Sequence, residues 1–119
     1  MSALTDAVAA LRAALTTVDG VRFYSGIGVT IDPPATALAP PEIERDTYSA
    51  QPTGAVFQVA VIVAKTEYAL DELLRLEQPV VEALNAVPDA AVVSPSKPGV
   101  WPSGGVDLPA YLIDVEYAL

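Results

Sequence analysis

Apolar residues recur along this chain with two periods, and the period changes several times. From Ala3 to Val18, Leu4, Val8, Leu11, Leu15 and Val18 fall at three- and four-residue steps, the spacing that gathers one apolar stripe on a helix. Alanines fill the gaps and favour that helix. Ser2 is placed to cap its N-terminus, with Asp6 near the positive end of the dipole, and Asp19-Gly20 supplies the stop, since Gly20 suits a left-handed residue after a helix. Val21 to Tyr24 then reads as a short strand.

Between Ser25 and Thr53 prolines crowd the chain at 33, 34, 40, 41 and 52. Proline lacks the N–H that a central strand or a helix interior needs, so this stretch is predicted as an extended excursion. An edge-strand fragment is expected around Glu42 to Thr47, where charged residues discourage unwanted pairing. Ala55 to Ala64 follows as the strongest strand. Phe57, Val59, Val61 and Val63 take one face, and Val56, Ala60 and Ile62 the other, so it should lie centrally with both sides covered.

Helical spacing returns after Lys65-Thr66, with Thr66 as the expected cap. Leu70, Leu73, Leu74, Val80, Val81 and Leu84 keep one phase to Asn85, with Pro79 inside the run. That continuity predicts one kinked helix on the sheet. Ala90 to Ser94 reads as a short strand and Pro95 to Pro109 as a Pro/Gly-rich loop. In the last strand, Ala110 to Leu119, Tyr111, Ile113, Val115, Tyr117 and Leu119 share a buried face, while Asp114 and Glu116 take the wet one. The expected fold is α+β: two main helices packed on a mixed or antiparallel sheet of about four strands.

A chain of 119 residues fits one domain, residues 1–119, with a core that needs neither disulfide nor metal. Cysteine and histidine are both absent. This removes thiolate metal sites, the usual nucleophilic triads and the commonest general base. No phosphate-binding or nucleophile-elbow motif occurs, and Gly26-Ile27-Gly28 and Ser103-Gly104-Gly105 read as turns because neither runs into a helix. The net charge of −9 argues against gripping a phosphate backbone. No segment reaches the roughly 20 apolar residues of a membrane span, and Asp6 with no preceding basic run is unlike a secretory signal. Synthesis in the cytoplasm, no membrane association, no catalytic residues, no metal and no cofactor are the expectations.

Two kinds of candidate residue remain. Glu42, Glu44 and Asp46 would share one face of a strand, as would Asp114 and Glu116. Each group is either a solvated surface or a site for a hard cation, though none has the spacing of a calcium loop. Trp101 either plugs the edge of the domain's own core or anchors a partner. With Arg45 and Tyr48, which lie within the proline-rich excursion, it forms the candidate interface.

The chain as a whole resembles the tail-terminator proteins of long-tailed, siphovirus-type bacteriophages, especially those of actinobacterial hosts. The resemblance lies in the opening Leu/Ala helix ending in Asp19-Gly20-Val21 and the Pro-Pro-Ala run at Pro33 to Ala35. It continues through the apolar strand leading into an acidic, Leu-rich helix ending near Glu82-Ala83-Leu84, to the closing strand over Pro109 to Glu116. It is one of layout, with no single specific motif. It implies a structural virion protein: a homo-oligomer, a hexameric ring at the head-proximal end of the tail. Such a ring stops polymerisation of the major tail tube protein and joins the tail to the head connector or stopper. DNA would pass through the lumen without specific binding. A radius of gyration of about 13 Å would leave a six-membered ring with a hole of roughly 35 Å. On that reading Glu42, Glu44, Asp46, Asp114 and Glu116 face the lumen. The competing expectations are another head–tail connector (a stopper or adaptor), a carboxylate domain binding a small molecule through a divalent metal, and a monomeric binding protein with an acidic face.

Overall fold

The apolar run in the middle of the sequence becomes the axis of the molecule. The computed structural model describes residues 3–25, 30–45, 51–93 and 95–119. In chain order these form α1 (Ala3–Leu15), β1 (Arg22–Ser25), β2 (Ala35–Leu38), β3 (Glu42–Arg45), β4 (Pro52–Ile62), α2 (Ala69–Asn85), β5 (Ala90–Val92), β6 (Lys97–Ser103) and β7 (Val106–Ala118). The expected sheet of about four strands is corrected: the described residues form seven strands in one mixed sheet, with two helices.

β4 and β7 run antiparallel over nine paired positions, from Gly54 opposite Ala118 to Ile62 opposite Ala110. On one side of this pair β2 and β3 follow each other along β4, both antiparallel to it, and β1 adds outside β2 in parallel. On the other side β6 pairs with the first half of β7 and β5 with its end. The sheet edge beside β4 is therefore stepped, two strands deep at β2–β1 and one strand deep at β3.

Two of the extra strands were hidden by proline. Ala35 to Leu38 is buried at all four positions, and the prolines that bracket it stand outside the strand. β6 replaces much of the predicted 95–109 loop. It turns into β7 through Gly104-Gly105, both at positive φ (56° and 84°), the pair of values a two-residue hairpin turn of this hand requires. This hairpin tip and the β3–β4 end lie at opposite ends of a 50 × 29 × 24 Å molecule.

Both helices cover one face of the sheet. Ala7, Leu11 and Leu15 of α1, and Leu73, Leu76, Val80 and Leu84 of α2, pack on Phe57, Val59, Val61, Ile113 and Val115. Tyr117 meets Phe57 edge-on, with ring centroids 6.4 Å apart. The buried stripe of α2 differs from the expected one: Leu70 and Leu74 are 61 % and 56 % exposed, and Leu76 takes their place. The expected cap is also displaced. Thr66 Oγ1 accepts from the Tyr68 N–H, but α2 starts at Ala69 with no side-chain cap; Ser2 lies outside the described residues. α2 runs through Pro79 as one helix, leaving the Arg75 carbonyl without its i+4 donor. Gly20 does adopt the left-handed conformation, with φ 76°.

A second apolar cluster lies on the opposite face. It joins Ile31, Ala35, Ala37, Ala60, Ile62, Trp101 and Leu108, and the Ser103 hydroxyl accepts from the Ile31 N–H at 2.7 Å. β4 is thus covered on both sides along its second half, as its two apolar faces require.

Two substitutions test this account. Phe57→Ala should lower unfolding free energy by about 3–5 kcal/mol, because the side chain is fully buried between both helices and β7. Pro79→Ala should raise it by about 1–3 kcal/mol by restoring the missing helix hydrogen bond. Urea titration measures both.

Candidate interaction face

In an antiparallel pair, residues directly opposite each other point to the same face. Glu42 stands opposite Val56, and Val56 opposite Glu116, so both acids sit in one cross-strand row spanning β3, β4 and β7. Gln58 and Asp114 form the next row, and Glu44, Gly54 and Ala118 the one on the other side. All alternate with Phe57 and Val115, which point to the helices. Glu42, Glu44, Asp114 and Glu116 therefore share the helix-free face, at the end of the sheet away from Trp101. Local sequence pattern paired them two by two; only the register through β4 unites the pairs.

Their spacing sets what they can do. Acids two residues apart on a strand are roughly 7 Å apart, and acids two strands apart roughly 10 Å. Those distances suit a diffuse negative field rather than shared coordination of one ion, for which oxygens must converge within about 2.6 Å of the metal. Among the described residues no group of three or more His, Cys, Asp or Glu is placed to hold a metal ion. Glu42, Glu44 and Glu116 are exposed and Asp114 is half-buried. Asp46 lies outside the described residues.

The candidate interface does not come together. Trp101 is only 5 % exposed and packs opposite Leu108 in the second apolar cluster, so of its two readings the structure places it in the domain's own core. Its indole N–H and the Thr36 hydroxyl are buried with no hydrogen-bond partner among the described residues. Arg45 is exposed at the end of β3, opposite Pro52 and just past an irregularity in the register, far along the sheet from Trp101. Tyr48 lies outside the described residues.

Sequence reasoning missed the ion pair between Arg22 and Asp32. It also missed the Arg12 guanidinium, which sits 5.6 Å from the centre of the Phe23 ring and donates to the Ser25 hydroxyl at 3.4 Å. Both arginines lie beside β1, Arg22 matched by Asp32 on the helix-free face and Arg12 over Phe23 on the helix face. No local signal could have found the grouping, because it depends on the Arg12 side chain of α1 reaching β1. Two recesses flank the helices: one of about 550 Å³ between the end of α1 and Pro79 of α2, lined by Asp19, Arg75 and Glu82 among others, and an apolar one of about 170 Å³ between α1 and the junction of β2 and β3.

Repulsion within the acidic face predicts that Glu116→Lys, which places a cation beside Asp114 and in the row of Glu42, raises stability by about 0.2–1 kcal/mol at low salt. The gain should fade at high ionic strength, as urea titrations at two salt concentrations would show. Set beside known proteins, the chain matches no family model and no curated sequence.

Proposed function

We propose that this chain is an assembly subunit of the tail-terminator kind, forming a ring on the head-proximal end of a phage tail tube and joining it to the head connector. The observation that supports the reading is the gathering of Glu42, Glu44, Asp114 and Glu116 on one helix-free face of the sheet. A ring that turns this face inward has a negatively charged lumen, along which a DNA duplex slides without the counterion release that would hold it. The helices then face outward, and the Gly104-Gly105 turn and the opposite end of the sheet, where β3 pairs with the start of β4, lie where a tube or a connector would be met.

Negative-stain electron microscopy of the concentrated protein, alone and with tail tubes, tests the reading, with mass measured by light scattering. Six-fold rings with an open centre, capping one end of the tubes, are the expected result when tubes are present. Gold labels on a cysteine placed at Glu116 should appear at the inner wall. Labels on the outer rim would remove the lumen assignment, and tubes that keep growing in the presence of the protein would remove the terminator assignment.

A further inference from the structure

The four outer strands of this sheet are not equally open, and their differences single out one mode of self-association. On the side beyond β7, both strands offer few outward donors. The Pro109 carbonyl accepts from the Val63 N–H on the β4 side, so the opposite residue, Val100, and its alternates Pro98 and Pro102 point their backbone groups outward. Two of those three positions have no N–H to offer. On β5 the outward N–H groups are those of Ala90 and Val92. The first donates to the Val87 carbonyl at 3.2 Å and the second to the Asn85 Oδ1 at 3.0 Å. A strand arriving on this side would find few free donors.

Among the described residues, the side beyond β4 is different. The Arg22 N–H donates inward to the Pro34 carbonyl, so Phe23 and Ser25 direct their N–H and C=O outward along β1. On β3, Glu42 and Glu44 face β4, because their partners Val56 and Gly54 alternate with the residues of β4 that bond β7. Ile43 therefore directs both backbone groups outward. Its side chain, 40 % exposed, lies on the helix face, as does that of Phe23, which packs on the main core.

We propose that a second copy of this chain docks on this stepped edge about a two-fold axis perpendicular to the sheet, so that β1 of each copy pairs with β3 of the other. The steps are complementary, since each row then holds β2, β1 and the partner's β3 between the two central strands. β1 and β3 run in the same direction within one copy, both antiparallel to β4, so the two-fold makes them antiparallel across the contact. Phe23 opposite Ile43 exchanges two backbone hydrogen bonds, and their side chains lie on the same face, as such a pair demands. One residue either way, Arg22 meets Glu44 and Tyr24 meets Glu42 on the other face. Arg22, whose guanidinium also pairs with Asp32, thus meets a glutamate, whereas β3 against β3 about Ile43 would set Glu42 opposite Glu44. The 170 Å³ apolar recess at the inner corner of the step, lined by Val8, Leu38, Pro40, Pro41 and Phe57 among others, lies beside this contact.

This inference does not rest on the ring reading. A two-fold contact gives an assembly identical ends, so a ring with different neighbours at its two ends excludes it, and the dimer is the form of the free subunit.

The chain has no cysteine, which makes disulfide trapping clean. Arg22→Cys and Glu44→Cys would place two thiols in a close pair, with Cβ atoms about 4.5–5.5 Å apart, near the separation a disulfide spans. An equimolar mixture of the two single variants, oxidised in solution, should yield a covalent dimer of one chain of each kind. Either variant alone should yield little. Adding Ile43→Pro to both, which removes an outward N–H without touching the ladder to β4, should abolish the crosslink while circular dichroism stays unchanged. No crosslink in the mixture, equal crosslinking in either single variant, or a crosslink indifferent to Ile43→Pro in folded protein would each overturn the proposal, whether or not rings form.

Discussion

The pairing of β4 with β7 is the contact on which the rest of the structure depends. Nine successive positions are in register, and every other strand but β1 bonds to one of these two. β4 can occupy the centre because it carries almost no polar side chain: from Ala55 to Val63 only Gln58 is hydrophilic. A strand that is apolar on both faces must be covered on both. The helices cover one face; Ile31, Trp101 and the base of the β6–β7 hairpin cover the second half of the other. The first half of that face is left to Gln58 and the acids of its neighbours. Division of the molecule into a packed face, a small second core and an acidic patch follows from that one sequence segment.

How far this was legible in the sequence depended on how many neighbours a segment needs. β4, β7 and both helices announce themselves because their periodicity is an internal property, set by the environment on either side. β2 does not: Ala35-Thr36-Ala37-Leu38 is short, has small residues, and is bracketed by prolines that argue against a strand. Its burial comes from lying between β1 and β4, which no local pattern records. β6 was obscured by Pro98, Gly99 and Pro102, yet proline is tolerated on an edge strand wherever its nitrogen points outward, and here the parity is right. The strand count of about four fell short for these two reasons.

The acidic face shows the same limit. Alternation within a strand links Glu42 to Glu44 and Asp114 to Glu116, but whether the two pairs share a side depends on register across Val56, a non-local quantity. Trp101 was balanced between core and interface because a tryptophan among prolines has no periodicity to read; its burial is decided by Ile31, seventy residues earlier in the chain. The surface leucines of α2 were misassigned for a related reason. Residues 70 and 74 share a helical phase with the core stripe only approximately: Leu73, Leu76, Val80 and Leu84 define the buried line, and Leu70 and Leu74 fall to one side of it.

The donor-poor flank formed by β5 and β6 bears on what this protein can become at high concentration. Unprotected sheets grow into fibres by adding strand to strand at both edges. Here Pro98, Pro102, the Asn85 side chain and the Val87 carbonyl occupy or delete most of the outward donors on one flank, leaving that of Val100, so a stack finds a poor second end from which to extend. In a chain with half of its residues hydrophobic and a long, unusually apolar central strand, a handful of residues on one flank thus limits strand-to-strand growth.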